Sequence, residues 1–402
     1  MLWSGCATGQ TGDAINISGT KARIGGSVIS NAGGDVEYWV QYGPTTSYGS
    51  DSAHETASDT TANTPRGIGV ALSGLERSTT YNYRLCAQDG SQQGGPGCGE
   101  NHTFTTPNLG CGDTITDDFT LSGDVSCESF VGTGLIVGAD GVEIDLDGHG
   151  LLGPIGSPES PTPTGIDNAG GFDDLTVRDG RVTGWGVGGD LQGDRNRVLD
   201  VGGFGNTAGI KIGGAGSVIR RTTMTGSRFG FGLLVESSSG FIVADSTGNK
   251  WQISGEDARV VRNVLSPAAP FASCLYIAGN RNRVAYNHVA GCDGGSILLA
   301  GGSDNVLVGN EAFGSNGPPG GGILDGIFVG DFTAGTVLRD NYAHDNADDG
   351  IDVRGVDTRL EDNRADDNGD FGIDAVAGVT DLGGNTATGN GNPLQCRNVF
   401  CQ

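Results

Sequence analysis

The chain carries two different rhythms of apolar and polar residues. Between residues 13 and 106, short runs alternate: "ARIGGSVIS", "VEYWVQYG", "GVALSGL", "TTYNYRLCAQ" and "NHTFTTP". A period of two puts every second side chain on one face, as in a half-buried strand. Gly, Asn and Ser clusters between the runs supply the turns. This pattern predicts an antiparallel β-sandwich over 13–106, preceded by a tail over 1–12.

From residue 107 the rhythm changes. "AGIKIGGAGSVIRRTTM", "LYIAGNRNRVAYNHVAG", "SILLAGGSDNVLVGNEAFG", "GIDVRGVDTRLEDNRADDN" and their neighbours are variants of one unit. Ile253 to Leu275, Leu275 to Ile297 and Ile351 to Ile373 are each 22 residues apart. A Val/Leu-x-x-Asn element recurs at Asn263, Asn287, Asn310, Asn341, Asn363 and Asn385, with gaps of 24, 23, 31, 22 and 22. A unit this short, all strand and turn, cannot bury its own apolar face, so successive units must stack. Asn tolerates the left-handed conformation and can hydrogen-bond the same amide one coil away, so the series predicts an internal Asn ladder.

These units resemble the right-handed parallel β-helix of the pectin-lyase-like class, over roughly 134–396. That class spans lyases, hydrolases, epimerases, phage spikes and non-catalytic surface proteins, so the resemblance implies a fold far more narrowly than an activity. Residues 107–133 are expected to cap the N-terminal end and 388–402 the other, because open ends expose unpaired strand edges. The expected β-helix with its C-terminal cap spans 134–402. In the first region, "YWVQYGPTTSYGS" and "LSGLERSTTYNYRLCA" resemble a fibronectin type III domain. Leu75, Thr79 and Tyr81 stand where that family has L-x-P-x-T-x-Y, with Arg77 in place of Pro. The resemblance implies that the Tyr81 hydroxyl bonds back to the chain. The expected fold class is therefore all-β: a fibronectin-like sandwich followed by a parallel β-helix.

Composition narrows the function. Gly is 75 of 402 residues and Pro 13, without a collagen period, which suits tight turns between many short strands. A net charge of −25 disfavours nucleic acid, anionic membranes and bare polyanions unless a cation intervenes. No run of 18 apolar residues exists to form a transmembrane helix. Eight of nine Cys fall into near pairs (86/98, 111/127, 274/292, 396/401) without zinc-site spacing, which points to local disulfides and an extracellular or cell-surface location. Cys6, in "LWSGCATG", is left over. Ser-Gly-Cys looks like the end of a lipoprotein signal, so a lipid anchor at Cys6 is one reading and a free or intermolecularly bridged thiol the other.

The densest chemistry lies in "HDNADDGIDVRG" (344–355). Aligned with the following coil, Asp345 matches Asp367, Asp348 matches Asp370 and Asp352 matches Asp374. Stacking in register would set three acid pairs about 5 Å apart, a repulsive arrangement. Either the turn is solvated, or Ca²⁺ sits between the coils, bound by these six carboxylates. "Asp-Asp-Gly-Ile-Asp" also looks similar to the calcium-binding acids of one pectate-lyase group, which pair them with a basic residue. No Lys follows Lys250, so Arg354 would have to serve, with Asp352 and Asp374 as metal or acid groups. Gly148-His149-Gly150 occurs also in polygalacturonases, but that family's other motifs are missing here.

The strand alternation predicts one outward row: Lys211, Leu234, Gln252, Tyr276, Leu298, Phe328, Asp352, Asp374. So apolar a row on a solvated face marks a surface covered by another part of the chain, a subunit contact, or a ligand groove. Tyr276, Leu298, Phe328 and Lys211 are the candidate ligand-binding residues, with a polysaccharide as ligand. Insertions at 266–273 and 314–322 are candidate walls, and a third Pro-rich loop spans 153–163. The expected function is a secreted or surface structural, adhesive or glycan-binding protein able to self-associate. The competing expectation is a Ca²⁺-dependent polysaccharide lyase or glycoside hydrolase.

Overall fold

The computed structural model describes residues 6–17, 19–90, 95–106, 109–128, 130, 132–154, 163–226, 230–266, 273–317 and 323–402. The interiors of the three Pro-rich insertions lie outside the described residues. The chain divides into two compact units, residues 1–113 and 114–402.

The first unit is a nine-stranded β structure, antiparallel in its main pairings. Its first strand, Ala7–Ile15, begins inside the stretch read as a tail and pairs with Lys21–Ser30. Alternation builds the core: Ile24, Val28, Val36, Val40, Val70, Tyr83 and Leu85 are buried together. The Tyr81 hydroxyl accepts from the backbone N–H of Glu76 at 2.9 Å, the bond back to the chain expected for that residue. Cys86 and Cys98 are disulfide-bonded across paired strands.

The second unit is a parallel β-helix. One face belongs to a 13-stranded parallel sheet, and the remaining strands form a continuous 22-stranded network. A typical coil adds one strand to the first and two to the second. The inward positions are aliphatic and sealed: Leu275, Ile277, Ile297, Leu299, Ile327, Val329, Ile351, Val353 and Ile373 are at most 1% exposed. Each such side chain contributes about 1.5–3 kcal/mol of burial free energy. The segment expected as an N-terminal cap is already in the helical stack. Phe119–Thr120 and Val125–Ser126 pair in parallel with Ile144–Asp145 and Leu151–Leu152.

The Asn ladder holds one corner. The Nδ2 of Asn263, Asn287, Asn310, Asn341 and Asn363 each donates to the Oδ1 of the next Asn in the series, at 2.9–3.1 Å. The backbone N–H of each donates to the same oxygen, and a second Nδ2 bond reaches a strand carbonyl, such as Leu307 from Asn341. The residue before each Asn turns the corner with positive φ: Arg262 (54°), Tyr286 (56°), Asp340 (54°) and Asp362 (53°), with Gly at 309 and 384. A second ladder, Asn346–Asn368–Asn390, ends on the Oε1 of Gln395, which supplies the acceptor that a further coil would have provided. Disulfide Cys274–Cys292 spans 18 residues, Cys396–Cys401 closes a loop of sequence separation 5, and Cys111 and Cys127 are also disulfide-bonded. Cys6 is a free thiol.

Candidate functional site

Strand pairing places the predicted outward row in one continuous ladder. Lys211 is opposite Leu234, then Gln252, Tyr276, Leu298, Phe328, Asp352 and Asp374 follow rung by rung, and Arg397 closes the series. Lys211 to Phe328 are half-buried. Lys211 is not free to meet a ligand as a lone cation: its Nζ lies 3.2 Å from Glu236 and 3.8 Å from Asp190.

At Asp352 the ladder turns from apolar to acidic, and the side chains are withdrawn from solvent. Asp325, Asp349, Asp352 and Asp374 are 2–5% exposed. They form two overlapping sets able to hold a cation: Asp325, Asp348 and Asp349, and Asp349, Asp352 and Asp374, with ligand oxygens within 4.8 Å of one another in each. The exposed Asp348 stands at the rim. Two guanidinium groups guard one side. Arg354 meets Asp352 at 2.7 Å and Asp374 at 3.3 Å, and Arg397 pairs with Asp374. Asp325 and Asp349 have no cationic partner among the described residues. Each instead accepts one backbone N–H, from Asp349 and Phe371, at 3.0 and 2.8 Å.

The crowding is costly. Burial, then the charges of Asp352 and Asp349, push the Asp325 carboxyl up to about 8. Burial, with Asp348 and Asp352 adding to it, raises Asp349 to about 7 against the pull of the Phe371 N–H. Asp352 rises to about 6, burial outweighing Arg354. Within this cluster the buried Oδ1 of Asp352 has no hydrogen-bond partner. An oxygen-rich, partly unpaired cluster of this kind fits a hard divalent cation such as Ca²⁺, which takes six to eight oxygen ligands. Asp349, Asp352 and Asp374, or Asp325, Asp348 and Asp349, are the residues that would hold it.

The set differs from the six acids expected on sequence alignment. Asp345 and Asp367 stand apart at an exposed corner with φ of 54° each, and Asp345 is hydrogen-bonded to His344 at 2.6 Å. Asp370 is only half-buried and accepts from Asn392 at 2.8 Å, so it too lies outside both sets. Asp325 and Asp349 were missed. They occupy one coil position, each directly before the Gly-Ile that opens a strand: Ile327 pairs with Ile351. Aligning "LDGIFV" with "DDGIDV" carries that signal. His149, of the Gly-His-Gly triplet, lies 3.7 Å from Asp124 on a separate turn.

Residues 253–396 match the family model described as "Right handed beta helix region". No curated protein sequence is significantly similar to the chain. Among solved structures, the sensor domain of the anti-sigma factor RsgI4 from Pseudobacteroides cellulosolvens is 18% identical. That match covers 26% of this chain and 91% of that one, with a TM-score of 0.20. The Dettilon tailspike protein is 14% identical over 72% of this chain and 60% of its own, with a TM-score of 0.42. Pectate lyase Pel9A is 12% identical over 73% and 79%, with a TM-score of 0.41. The parallel sheets and the match over residues 253–396 support a right-handed β-helix.

Proposed function

We propose that this protein is an extracellular β-helix that binds acidic polysaccharide along the Tyr276–Leu298–Phe328 ladder. Ca²⁺ held by Asp349, Asp352 and Asp374 joins the protein to ligand carboxylates. The observation that carries this reading is the unpartnered Oδ1 of Asp352 at the junction of the acid cluster and the apolar row. Three aspartates leave coordination positions open for ligand oxygens. A chain of net charge −25 needs such a cation to hold a uronate polymer. The half-buried Tyr276 and Phe328 offer apolar surface to sugar rings. Disulfide bonds support a secreted or surface location. We read the N-terminal unit as a fibronectin-type spacer on the Tyr81–Glu76 bond and its antiparallel strands.

Binding without cleavage is favoured over lyase chemistry because the nearby bases are engaged. The guanidinium of Arg354 is partly desolvated, yet its hydrogen bond and charge contact with Asp352 hold its pKa above the ordinary value. The hydrogen bond to Asp374 raises Arg397 likewise. Neither is a ready proton acceptor. A hydrolase reading draws on one feature: Asp352 is raised to about 6 beside Asp374, which two arginines hold. Electrophoresis through gels containing polygalacturonate, alginate or a neutral glucan, with Ca²⁺ or a chelator, tests the proposal. Retardation by a uronate polymer only with Ca²⁺, and no new reducing ends, is expected. Equal mobility in every gel would overturn it, and reducing ends formed without unsaturated-sugar absorbance, and lost in Asp352→Asn, would establish the hydrolase instead.

A further inference from the structure

The arginines of the β-helix divide by partner. Most of the described ones meet a carboxylate at 3.4 Å or less. Arg197, Arg220, Arg259, Arg283 and Arg359 form no ion pair among the described residues. All five project outward from the 22-stranded network, each beside an inward residue with 0% exposure: Val198, Ile219, Val260, Val284 and Leu360.

Four of them share one row. Strand pairing runs Arg197, Val218, Ile242, Arg259, Arg283, Val306, Val337, Arg359, one residue per rung. At about 4.8 Å per rung the row is about 34 Å long and one side chain wide. Arg259 and Arg283 occupy adjacent rungs, and Arg197 and Arg359 stand three rungs, about 14 Å, to either side. Aliphatic residues fill the gaps. Like charges directly opposite each other repel. Elsewhere on this β-helix an arginine faces an acid of the neighbouring coil, as Arg221 faces Asp200 and Arg262 faces Asp245. The chain has 48 acids for 23 basic residues, so acids to neutralise the row are plentiful, yet Arg259 and Arg283 are left side by side.

We propose that this row is a binding track for a linear sulfated polysaccharide, with Arg259 and Arg283 together holding one sulfate ester. A carboxylate has two oxygens, which one guanidinium fork satisfies. Two forks one rung apart suit an anionic group with three acceptor oxygens, as a sulfate ester has. A line of charge one side chain wide fits a single extended polymer, and Val218, Ile242, Val306 and Val337 meet its sugar rings. The net charge of −25 opposes polyanions in general. Salt screens that repulsion beyond about 8 Å, while the guanidinium contacts act at short range. The track is separate from the acid cluster and the Tyr276–Phe328 row, which lie on the 13-stranded sheet, and it needs no Ca²⁺.

The test uses the full chain in chelator, so that Ca²⁺ plays no part. Dextran sulfate, a sulfated disaccharide, polygalacturonate and inorganic sulfate are each titrated calorimetrically. Dextran sulfate should bind saturably, and more weakly as salt is raised. Arg259→Gln combined with Arg283→Gln should weaken it at least tenfold, with circular dichroism and Tm unchanged because neither side chain has a partner to lose. Arg359→Gln should weaken the polymer about threefold and leave the disaccharide unaffected, since only a polymer reaches three rungs away. No binding of dextran sulfate, undiminished binding by the double variant, polygalacturonate bound as tightly in chelator, or inorganic sulfate bound as tightly as the polymer would each overturn the proposal.

Discussion

Replacing Asp349 by Asn should stabilise the metal-free protein and abolish its response to calcium. Asp349 is 5% exposed and lacks a cationic partner among the described residues, and its carboxyl is raised from 3.8 to about 7. A rise of about three units, at about 1.4 kcal/mol each, bounds the cost of ionising it in the fold at about 4 kcal/mol well above pH 7. Asp325 and Asp352 share that cost by taking up protons themselves, so about 2 kcal/mol is the expected relief at pH 8. The Asn amide oxygen keeps the one bond this side chain makes, from the Phe371 N–H. For a unit of this size the gain corresponds to roughly 3 °C in Tm. Calcium acts in the opposite sense: at a hundredfold excess over Kd it adds about 2.7 kcal/mol to a protein that binds it. Scanning calorimetry at pH 8 should thus find the variant more stable in chelator, with the order equalised or reversed in millimolar Ca²⁺. A variant less stable in chelator would mean that the carboxylate is net stabilising and the cluster is not strained. Equal gains from Ca²⁺ in both proteins would place the ion elsewhere.

Metal-free stability should fall as pH rises from about 4 to 8. Asp325, Asp349 and Asp352 titrate in the fold at about 8, 7 and 6, so across that window the native state holds more protons than the unfolded chain. Ca²⁺ should flatten this slope, and chelator-treated melts at pH 5 and 8 check it. Asn341→Ala removes an amide that bonds Leu307 O and Asn363 Oδ1 and receives two bonds from Asn310. It should cost about 3–5 kcal/mol, read from the denaturation midpoint, because buried partners are left unsatisfied. Phe328→Ala, at a half-buried outward position, should leave Tm within about 2 °C while weakening polysaccharide retardation at least tenfold, since its role is contact with ligand.

The β-helix was legible because its signal is redundant. The same inward Ile and the same corner Asn return every coil, and the outward row followed from alternation alone, rung for rung. The acid site was legible only where it lies on a strand. Asp352 and Asp374 were found because a period of two fixes their face, and Asp348 because it flanks the same motif. Asp349 and Asp325 sit at the entry to a strand, where alternation gives no direction, yet both are buried there. Asp345 and Asp367 share the repeat, but their left-handed corner aims them outward. Repetition predicts which residues stack and is silent on which way a corner side chain points.

Calorimetric titration of a uronate oligosaccharide into the protein, with Ca²⁺ and with chelator, tests the central claim most directly when absorbance of unsaturated products is followed in the same samples. Saturable binding only with Ca²⁺, lost in Asp352→Asn and without any rise in absorbance, is the predicted result. Binding that ignores Ca²⁺, no binding at all, or accumulation of unsaturated sugar would contradict it.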